Sequence, residues 1–242
     1  MSTPILLCRD IVAGYVPGMP IIHSISLEVT SAEIVSIIGP NGAGKSTFLK
    51  AIAGLVQMEG GSISVSGKDV TGLRTDQLVG AGIAFVPQTG NVFTTLTVHE
   101  NLMVGGHTLG GELKHRLEQA YAQFPALAER RSAPGRVLSG GQRQMLAIAR
   151  GLMTAPKVIM LDEPTAGLSP KIVGEVFSDL QRLAATGVAV LMVEQNARAA
   201  LRISDRGYVM AEGRNRLDGK ASDLLADPDV GAAFLGVRKT RP

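Results

Sequence analysis

One short run constrains the fold of this 242-residue chain more than any other feature. It reads GPNGAGKST from Gly39 to Thr47 and fits the phosphate-binding pattern G-x-x-x-x-G-K-[ST]. The apolar run EIVSIIG before it predicts a strand, and KSTFLKAIAGL after it predicts a helix. Because the pattern needs this order of strand, glycine-rich loop and helix, we predict a nucleotide-binding loop in an α/β domain.

The residue types in this loop suit a bound nucleoside triphosphate. Gly42 and Gly44 let the backbone curl, so that successive N–H groups point at phosphate oxygens. Lys45 reaches the β- and γ-phosphates as a flexible point charge, and the Ser46 hydroxyl is an oxygen ligand of the kind that Mg²⁺ prefers. The predicted nucleotide contacts of the loop are Gly39, Asn41, Gly42, Gly44, Lys45, Ser46 and Thr47.

The mostly apolar run KVIMLDE ends in two acidic residues, Asp162 and Glu163. Asp162 is predicted to hold Mg²⁺ through water. Glu163 is the candidate that orients or deprotonates the attacking water, and alternation along an extended chain would turn its side chain away from that of Asp162. Without the phosphate-binding loop, the pair would be interpreted as solvated charges at the end of a strand.

Hydrophobic patterning predicts an α/β fold with a parallel sheet. The runs IVSIIG, VIMLDE and AVLMVE are almost continuously apolar, as in strands that are buried on both faces. Earlier runs alternate more, which favours an antiparallel β subdomain at one edge. From about Leu96 to Ala155 only helical patterns appear, which indicates a helical insertion. We therefore predict one domain over residues 1–242, with a core and β subdomain over 1–95 and 156–242 and a helical subdomain over about 96–155.

Composition excludes several classes of function. The formal net charge is only +3, and the basic clusters Arg130, Arg131, Arg136 and VRKTRP are interpreted as solvated rather than as a nucleic-acid site. The single cysteine, Cys8, predicts a buried structural thiol, and the four histidines show no metal-ligand spacing. No apolar run is long enough for a membrane span, so the chain is expected to be cytoplasmic and to contact a membrane only through a partner.

A second glycine-containing loop reads LSGGQ from Leu138 to Gln142. A helix is predicted after it, because Met145, Ile148, Ala149 and Leu152 lie at helical spacing. A serine and free N–H groups at the start of a helix favour an anion. The chain would then contain two loops suited to phosphate.

These motifs, in this order, resemble those of the ATP-binding cassette family of ATPases. GPNGAGKST resembles the family's Walker A motif, Gln88 in VPQ its Q-loop, and LSGGQ its signature sequence. VIMLDE resembles Walker B, AGLSP stands at the D-loop, and Tyr15 in VAGY is similar to the aromatic residue that stacks on adenine. The resemblance covers nearly the whole chain, and LSGGQ about twenty residues before LDEP is its most specific part.

The resemblance implies an explanation for the second loop. In this family two ATPase domains pair head to tail, and each ATP lies between the Walker A motif of one domain and the signature sequence of the other. The contacts to the partner's nucleotide would come from Ser139, Gly140, Gly141 and Gln142. The implied catalytic residues are Glu163, Gln195 and Gln88, and the implied Mg²⁺ ligands are Ser46, Gln88 and Asp162.

Peripheral segments resemble one subgroup, the ATPase subunits of branched-chain amino acid importers. These segments are NVFTTLTVHENL, LMVEQNARAALRISDRGYVMAEG and LLADPDVGAAFLG. The implied partners are a second ATPase subunit, a pair of transmembrane permease subunits and, indirectly, an external solute-binding protein. The permease would attach the chain to the cytoplasmic face of the membrane, and urea and amides are alternative solutes. Two positions depart from the wider family: Ser169 replaces the acidic residue of the D-loop, and Gln195 replaces the switch histidine.

Several alternatives remain at this level. A non-transport cassette ATPase of translation or DNA repair would usually carry two cassettes or a coiled-coil insertion, and a small-molecule kinase would need no signature sequence. Phe93 is predicted either to contact the permease or to belong to the core. Gln195 either binds the γ-phosphate or merely ends a strand, with Glu194 and Asn196 solvated. Whether the ATPase pair is homomeric is also open.

Overall fold

The computed structural model describes residues 3–228 and residue 230, in which the strands form two sheets. The basic tail VRKTRP and the residues GAAFLG at the end of the predicted subgroup motif lie outside the described residues. The smaller sheet is antiparallel, with the order β2-β1-β4-β5. Its strands are β1 (Leu6–Gly14), β2 (Ile22–Val29), β4 (Gln57–Val65) and β5 (Lys68–Asp69).

The larger sheet has the order β10-β9-β3-β8-β7-β6 and is parallel from β9 to β6. Its strands are β3 (Ile34–Ile38), β6 (Ile83–Val86), β7 (Val158–Asp162), β8 (Ala189–Val193), β9 (Arg206–Ala211) and β10 (Arg214–Lys220). Every residue of β3, β7 and β8 is buried. The parallel sheet predicted from the continuous apolar runs is confirmed.

The antiparallel β subdomain predicted from the early runs is confirmed, because these strands pair among themselves as a separate sheet. The antiparallel edge of the larger sheet is β10, which the sequence did not reveal because most of its side chains are polar and exposed. An edge strand of this kind lacks the hydrophobic alternation by which strands are recognised.

The described residues also form helices on both sides of the larger sheet. These are α1 (Lys45–Ile52), α2 (Thr75–Ala81), α3 (Val98–Gly105), α4 (Leu113–Gln123), α5 (Pro125–Ala128), α6 (Gly140–Leu152), α7 (Pro170–Ala185), α8 (Ala197–Ile203) and α9 (Ala221–Ala226). Short 3₁₀ turns lie at Gly110–Glu112 and Gly135–Val137. No helix in the described part of the chain is both long enough and apolar enough to cross a membrane.

Alternate residues of the central strands face two different cores. Met160 and Leu191 pack with α1 and the smaller sheet, in a core that also contains the buried thiol of Cys8. Leu161 and Met192 pack with the helices of the other side, chiefly α6 and α7. The two cores cover both faces of the sheet, and the carboxyl ends of β3, β7 and β8 come together at one edge. Ligands of open parallel sheets bind at such an edge.

Candidate functional site

A cavity of about 450 Å³ lies at the carboxyl edge of the larger sheet, between the loop that precedes α1 and the ends of neighbouring strands. Gly42 and Gly44 have left-handed backbone with φ values of 81° and 93°, as the loop prediction requires. The cavity is lined by Asn41, Gly42, Ala43, Gly44, Lys45, Ser46, Thr47, Gln88, Glu163 and Gln195. The structure therefore brings together three candidate catalytic side chains and most of the predicted phosphate contacts; Gly39 precedes them in the same loop.

Lys45 is a buried cation at the centre of this loop, with 5% of its surface exposed. Its Nζ donates to the carbonyl oxygens of Gly39, at 2.9 Å, and Pro40, at 3.0 Å. Burial lowers the pKa of Lys45, and the nearby carboxylates, chiefly Glu163 and Asp162, oppose that shift. A buried ammonium that still has donor capacity is suited to a phosphate.

Ser46 and Asp162 form the contact between the phosphate loop and β7. Ser46 Oγ donates to Asp162 Oδ1 at 2.6 Å, and Asp162 is 4% exposed. Mg²⁺ binds one or two carboxylates together with phosphate oxygens and water, so this pair of hard oxygen ligands fits it. The hydroxyl and the carboxylate are therefore positioned to share one cation beside a bound phosphate.

Glu163 lies directly after β7, but the reason given for its orientation was wrong. The strand ends at Asp162, and Glu163 has a φ of 48°, which is left-handed rather than extended. Its N–H donates to the carbonyl oxygen of Val193 at 2.9 Å, which ties the turn to the end of β8. Its side chain lines the cavity, where Oε2 accepts a hydrogen bond of 2.7 Å from Gln88 Nε2. The left-handed turn at Glu163, rather than the alternation of side chains along a strand, therefore directs the carboxylates of Asp162 and Glu163 to different partners.

Gln195 lines the same cavity just beyond the end of β8, and one of its two neighbours differs from expectation. Asn196 is exposed and caps α8, since its Oδ1 accepts from Ala199 N at 3.1 Å. Glu194 is only 2% exposed, so the interpretation that it is solvated was wrong. Its carboxylate lies under the turn after β7, where the N–H and hydroxyl of Thr165 donate to it. Sequence reasoning missed it because charged residues beside a strand end are usually solvated.

The second loop begins α6 as predicted, but it does not contribute to this cavity. Ser139 is the N-cap: its Oγ accepts from Gln142 N at 3.2 Å, and Gln142 Oε1 accepts from Ser139 N at 3.1 Å. Gly141 is buried against α7, where a Cβ would approach Cγ2 of Ile172 to 2.4 Å. Gly140 is partly exposed and Ser139 is exposed. This loop presents its serine outwards rather than towards Lys45.

Tyr15 lies on an exposed apolar segment that follows β1. Its surface is 55% exposed, and Val16 and Met19 beside it are 54% and 68% exposed. It does not line the cavity described above. Its role as a platform for adenine stays a prediction.

The segment after Gln88 exposes Phe93, which is 47% accessible, so of the two alternatives the one that placed it in the core is wrong. The ring lies 5.0 Å from the guanidinium carbon of Arg150. Sequence reasoning missed Asn101, which is fully buried and holds this segment. Its Oδ1 accepts from Phe93 N at 2.9 Å, and its Nδ2 donates to Phe93 O at 3.0 Å. A polar residue on the apolar side of α3 was the available signal.

Comparison with known proteins places the chain in one family. The family model for ABC transporters matches residues 22–166. The chain is 41% identical to the high-affinity branched-chain amino acid transport ATP-binding protein BraG of Pseudomonas aeruginosa, over 96% of this chain and 100% of that protein. It is 40% identical to the probable branched-chain amino acid transport ATP-binding protein LivF of Archaeoglobus fulgidus, over 93% and 96%. It is also 32% identical to the lipopolysaccharide export system ATP-binding protein LptB of Escherichia coli, over 96% and 97%.

Solved structures agree with this placement. The ADP conformation of MJ1267, an ATP-binding cassette of an ABC transporter, superposes with a TM-score of 0.85 at 30% identity, over 98% of this chain and 100% of that one. A dimeric, post-hydrolysis state of the ATP-binding cassette MJ0796, bound to ADP and Pi, superposes with a TM-score of 0.77 at 26% identity, over 89% and 98%. The phosphate loop, the acidic end of β7 and the cavity between them agree with the activity of these relatives. The chain belongs to the ABC transporter family and is an ATP-hydrolysing subunit of such a transporter.

Proposed function

We propose that this chain hydrolyses ATP as one of two paired cassettes. Each ATP would lie between the phosphate loop of one subunit and Ser139 to Gln142 of the other. The supporting observation is the separation of these two anion-binding elements: the exposed Ser139 begins α6, whereas the cavity around Lys45 is lined by other residues. The dimeric cassette MJ0796, bound to ADP and Pi, supports this arrangement.

The cavity residues have separate roles in the hydrolysis of ATP. Lys45 and the N–H groups of the phosphate loop bind the phosphates, and the Gln195 amide donates to the γ-phosphate. Glu163 orients the attacking water and accepts its proton. Mg²⁺, held by Ser46, Asp162 and Gln88, would neutralise negative charge on the phosphate oxygens. Gln88 would bind the cation through its amide oxygen, because its NH₂ group is the end that donates to Glu163.

The cycle of pairing and release would drive transport through a permease. ATP binds more tightly to the paired state, so its binding favours pairing and its hydrolysis releases the pair. The exposed ring of Phe93 lies in the segment that begins at Gln88, so a permease that contacts this surface would sense the nucleotide site. The chain would thus lie at the cytoplasmic face of a membrane, attached through permease subunits and paired with a second, related ATPase.

We propose branched-chain amino acids as the imported solutes, delivered to the permease by an external binding protein. The proposal rests on the full-length similarity to BraG and LivF. Its competitor is an export function, because LptB matches as much of the chain as BraG does, at lower identity. The ATPase subunit itself supplies no solute contact in either case.

Uptake measurements distinguish these possibilities. Cells that lack the chain are complemented with the wild type or with Lys45→Ala, and uptake of radiolabelled leucine, isoleucine and valine is measured. Uptake restored by the wild type alone supports the import proposal. Unchanged uptake in the absence of the chain, together with a loss of lipopolysaccharide at the cell surface, would instead support export.

A further inference from the structure

Glu194 is a buried carboxylate whose charge acts on the cation Lys45 from beyond ion-pair distance, where it opposes the lowering of that lysine's pKa by burial. Its residue is 2% exposed, and no ion pair of the described residues includes it. Burial raises its pKa, and the nearby Glu163 carboxylate raises it further, while hydrogen bonds from Thr165 and Gln195 act in the opposite direction. Burying an anion beside another anion costs stability, so this arrangement needs a reason other than stability.

The hydrogen bonds of Glu194 join three segments around the nucleotide cavity. Its Oε1 accepts from Thr165 N at 3.0 Å and from Thr165 Oγ1 at 2.7 Å. Its Oε2 accepts from the backbone N–H of Gln195 at 3.2 Å. Its own N–H donates to the carbonyl oxygen of Ile37, near the end of β3, at 3.2 Å. The side chain of Glu194 therefore connects the turn after β7 to the backbone of Gln195, just beyond the end of β8.

This connection constrains the backbone of Glu163 and Gln195, whose side chains both line the cavity. Glu163 begins the turn in a left-handed conformation, and the backbone bonds from Ala166 N to Glu163 O and from Leu168 N to Thr165 O close that turn. Thr165 is 6% exposed, so its position within the turn is defined by packing and by Glu194. Gln195 has an exposed side chain and depends on its backbone N–H for anchoring on this side.

We propose that Glu194 is a positioning residue for ATP hydrolysis, which holds Glu163 and Gln195 at a fixed separation across the γ-phosphate. The inference rests on the proposed roles of those two residues. A carboxylate suits the task because both of its oxygens accept, whereas an amide in the same place offers one acceptor and one donor. Positioning matters here because displacing a reacting group by about 1 Å can cost on the order of 100-fold in rate.

The test is Glu194→Gln. Its amide oxygen can keep both bonds from Thr165, but its NH₂ group then faces the N–H of Gln195. We expect kcat for ATP hydrolysis by the assembled transporter to fall roughly 10- to 100-fold. KM for ATP and ATP binding by the isolated chain should stay within about 3-fold, because Glu194 does not line the nucleotide cavity.

Glu33→Gln is the matched control. Glu33 is also buried, at 7% exposure, and its Oε2 likewise accepts from the N–H and hydroxyl of a threonine, Thr30. It lies at the opposite end of β3 from the phosphate loop. Glu33 also forms an ion pair with Arg206 at 3.4 Å, so Glu33→Gln should lose at least as much thermal stability as Glu194→Gln. A purely structural role for Glu194 therefore predicts lower stability and similar kcat values for both variants. The proposed positioning role predicts a low kcat for Glu194→Gln alone.

Two further sets of variants test the connection: substitutions of Thr165, and Glu194→Gln combined with Gln195→Ala. Thr165→Val removes the hydroxyl donor and should lower kcat, whereas Thr165→Ser should retain it. In a Gln195→Ala background, Glu194→Gln should lower kcat by less than about 3-fold, because there is then no Gln195 side chain for Glu194 to position. Multiplicative losses in that cycle, or a Thr165→Val enzyme with normal kcat, would overturn the proposal. Wild-type activity in Gln195→Ala would instead refute the role of Gln195 itself, so the two failures are distinct.

Discussion

The amide Nε2 of Gln88 lies 2.7 Å from the carboxylate Oε2 of Glu163, although the two residues are 75 positions apart in the chain. This hydrogen bond joins the segment that leads to the exposed Phe93 with the residue proposed to activate water. Movement of the segment would therefore change the partners of the Glu163 carboxylate. The relationship offers a direct physical route by which a permease could act on hydrolysis.

We expect Glu163→Gln to bind Mg·ATP but to hydrolyse it at least about 100-fold more slowly, because the amide cannot accept a proton. The ATP-bound pair should then accumulate and elute earlier in size-exclusion chromatography with ATP. Glu212→Gln is the control, since Glu212 is exposed and also has left-handed backbone, with φ at 53°. Wild-type turnover in Glu163→Gln would remove this residue from the mechanism.

We expect Gln195→Ala to slow hydrolysis by the assembled transporter by roughly 10- to 150-fold. One hydrogen bond to a charged group contributes about 1.5–3 kcal/mol, and that energy would be lost mainly from the transition state. Gln195→His should remain active and acquire a pH dependence between about 6 and 7, because imidazole titrates there and an amide does not. Asn196→Asp keeps the helix cap and serves as the neighbouring control. Normal turnover in Gln195→Ala would show that the side chain has no part in catalysis.

Phe93→Asp should leave ATP binding and thermal stability almost unchanged while weakening copurification with the permease. The side chain is 47% exposed, and surface substitutions usually change stability by less than about 0.5 kcal/mol. Phe124→Asp is the contrasting variant: Phe124 is 3% exposed, so a charge there should abolish cooperative folding. Intact permease binding by Phe93→Asp would show that this surface is not the contact.

Gly213→Ala should weaken ATP binding and lower thermal stability. Gly213 has a φ of 68°, and a Cβ there would lie 1.9 Å from the carbonyl oxygen of Ile21. Its N–H donates to Ala43 O at 3.1 Å, so the turn between β9 and β10 supports the phosphate loop. We expect a loss of about 1–3 kcal/mol in stability, measured by thermal unfolding, together with a higher Kd for ATP.

Gly219→Ala, on the strand β10 that follows this turn, is the control for that substitution. A Cβ at Gly219 meets no atom within 4 Å, and its φ is not in the left-handed region. It should therefore unfold and bind ATP like the wild type. Equal ATP affinities for the two alanine variants would show that the hairpin does not support the loop.

The sequence by itself predicted those features that depend on neighbouring residues. These features are the phosphate loop, the start of α6 and the buried strands β3, β7 and β8. They could be predicted because loop geometry, helix capping and burial on both faces require particular residue types at short spacing. The motifs also led to the family that the comparisons then showed. The polar strand β10 could not be predicted, since it lacks hydrophobic alternation and its pairing with β9 is not visible in its own residues.

The tertiary structure alone decided which side chains meet. Ser46 and Asp162 are 116 positions apart and share a hydrogen bond, and Glu194 is buried although its residue type favours solvent. Phe93, which the sequence left between core and surface, is exposed because Asn101 holds its backbone outside the helical core. Contacts of this kind depend on how whole elements pack, so local composition determines the chemistry available at each position and long-range packing determines which groups can act together.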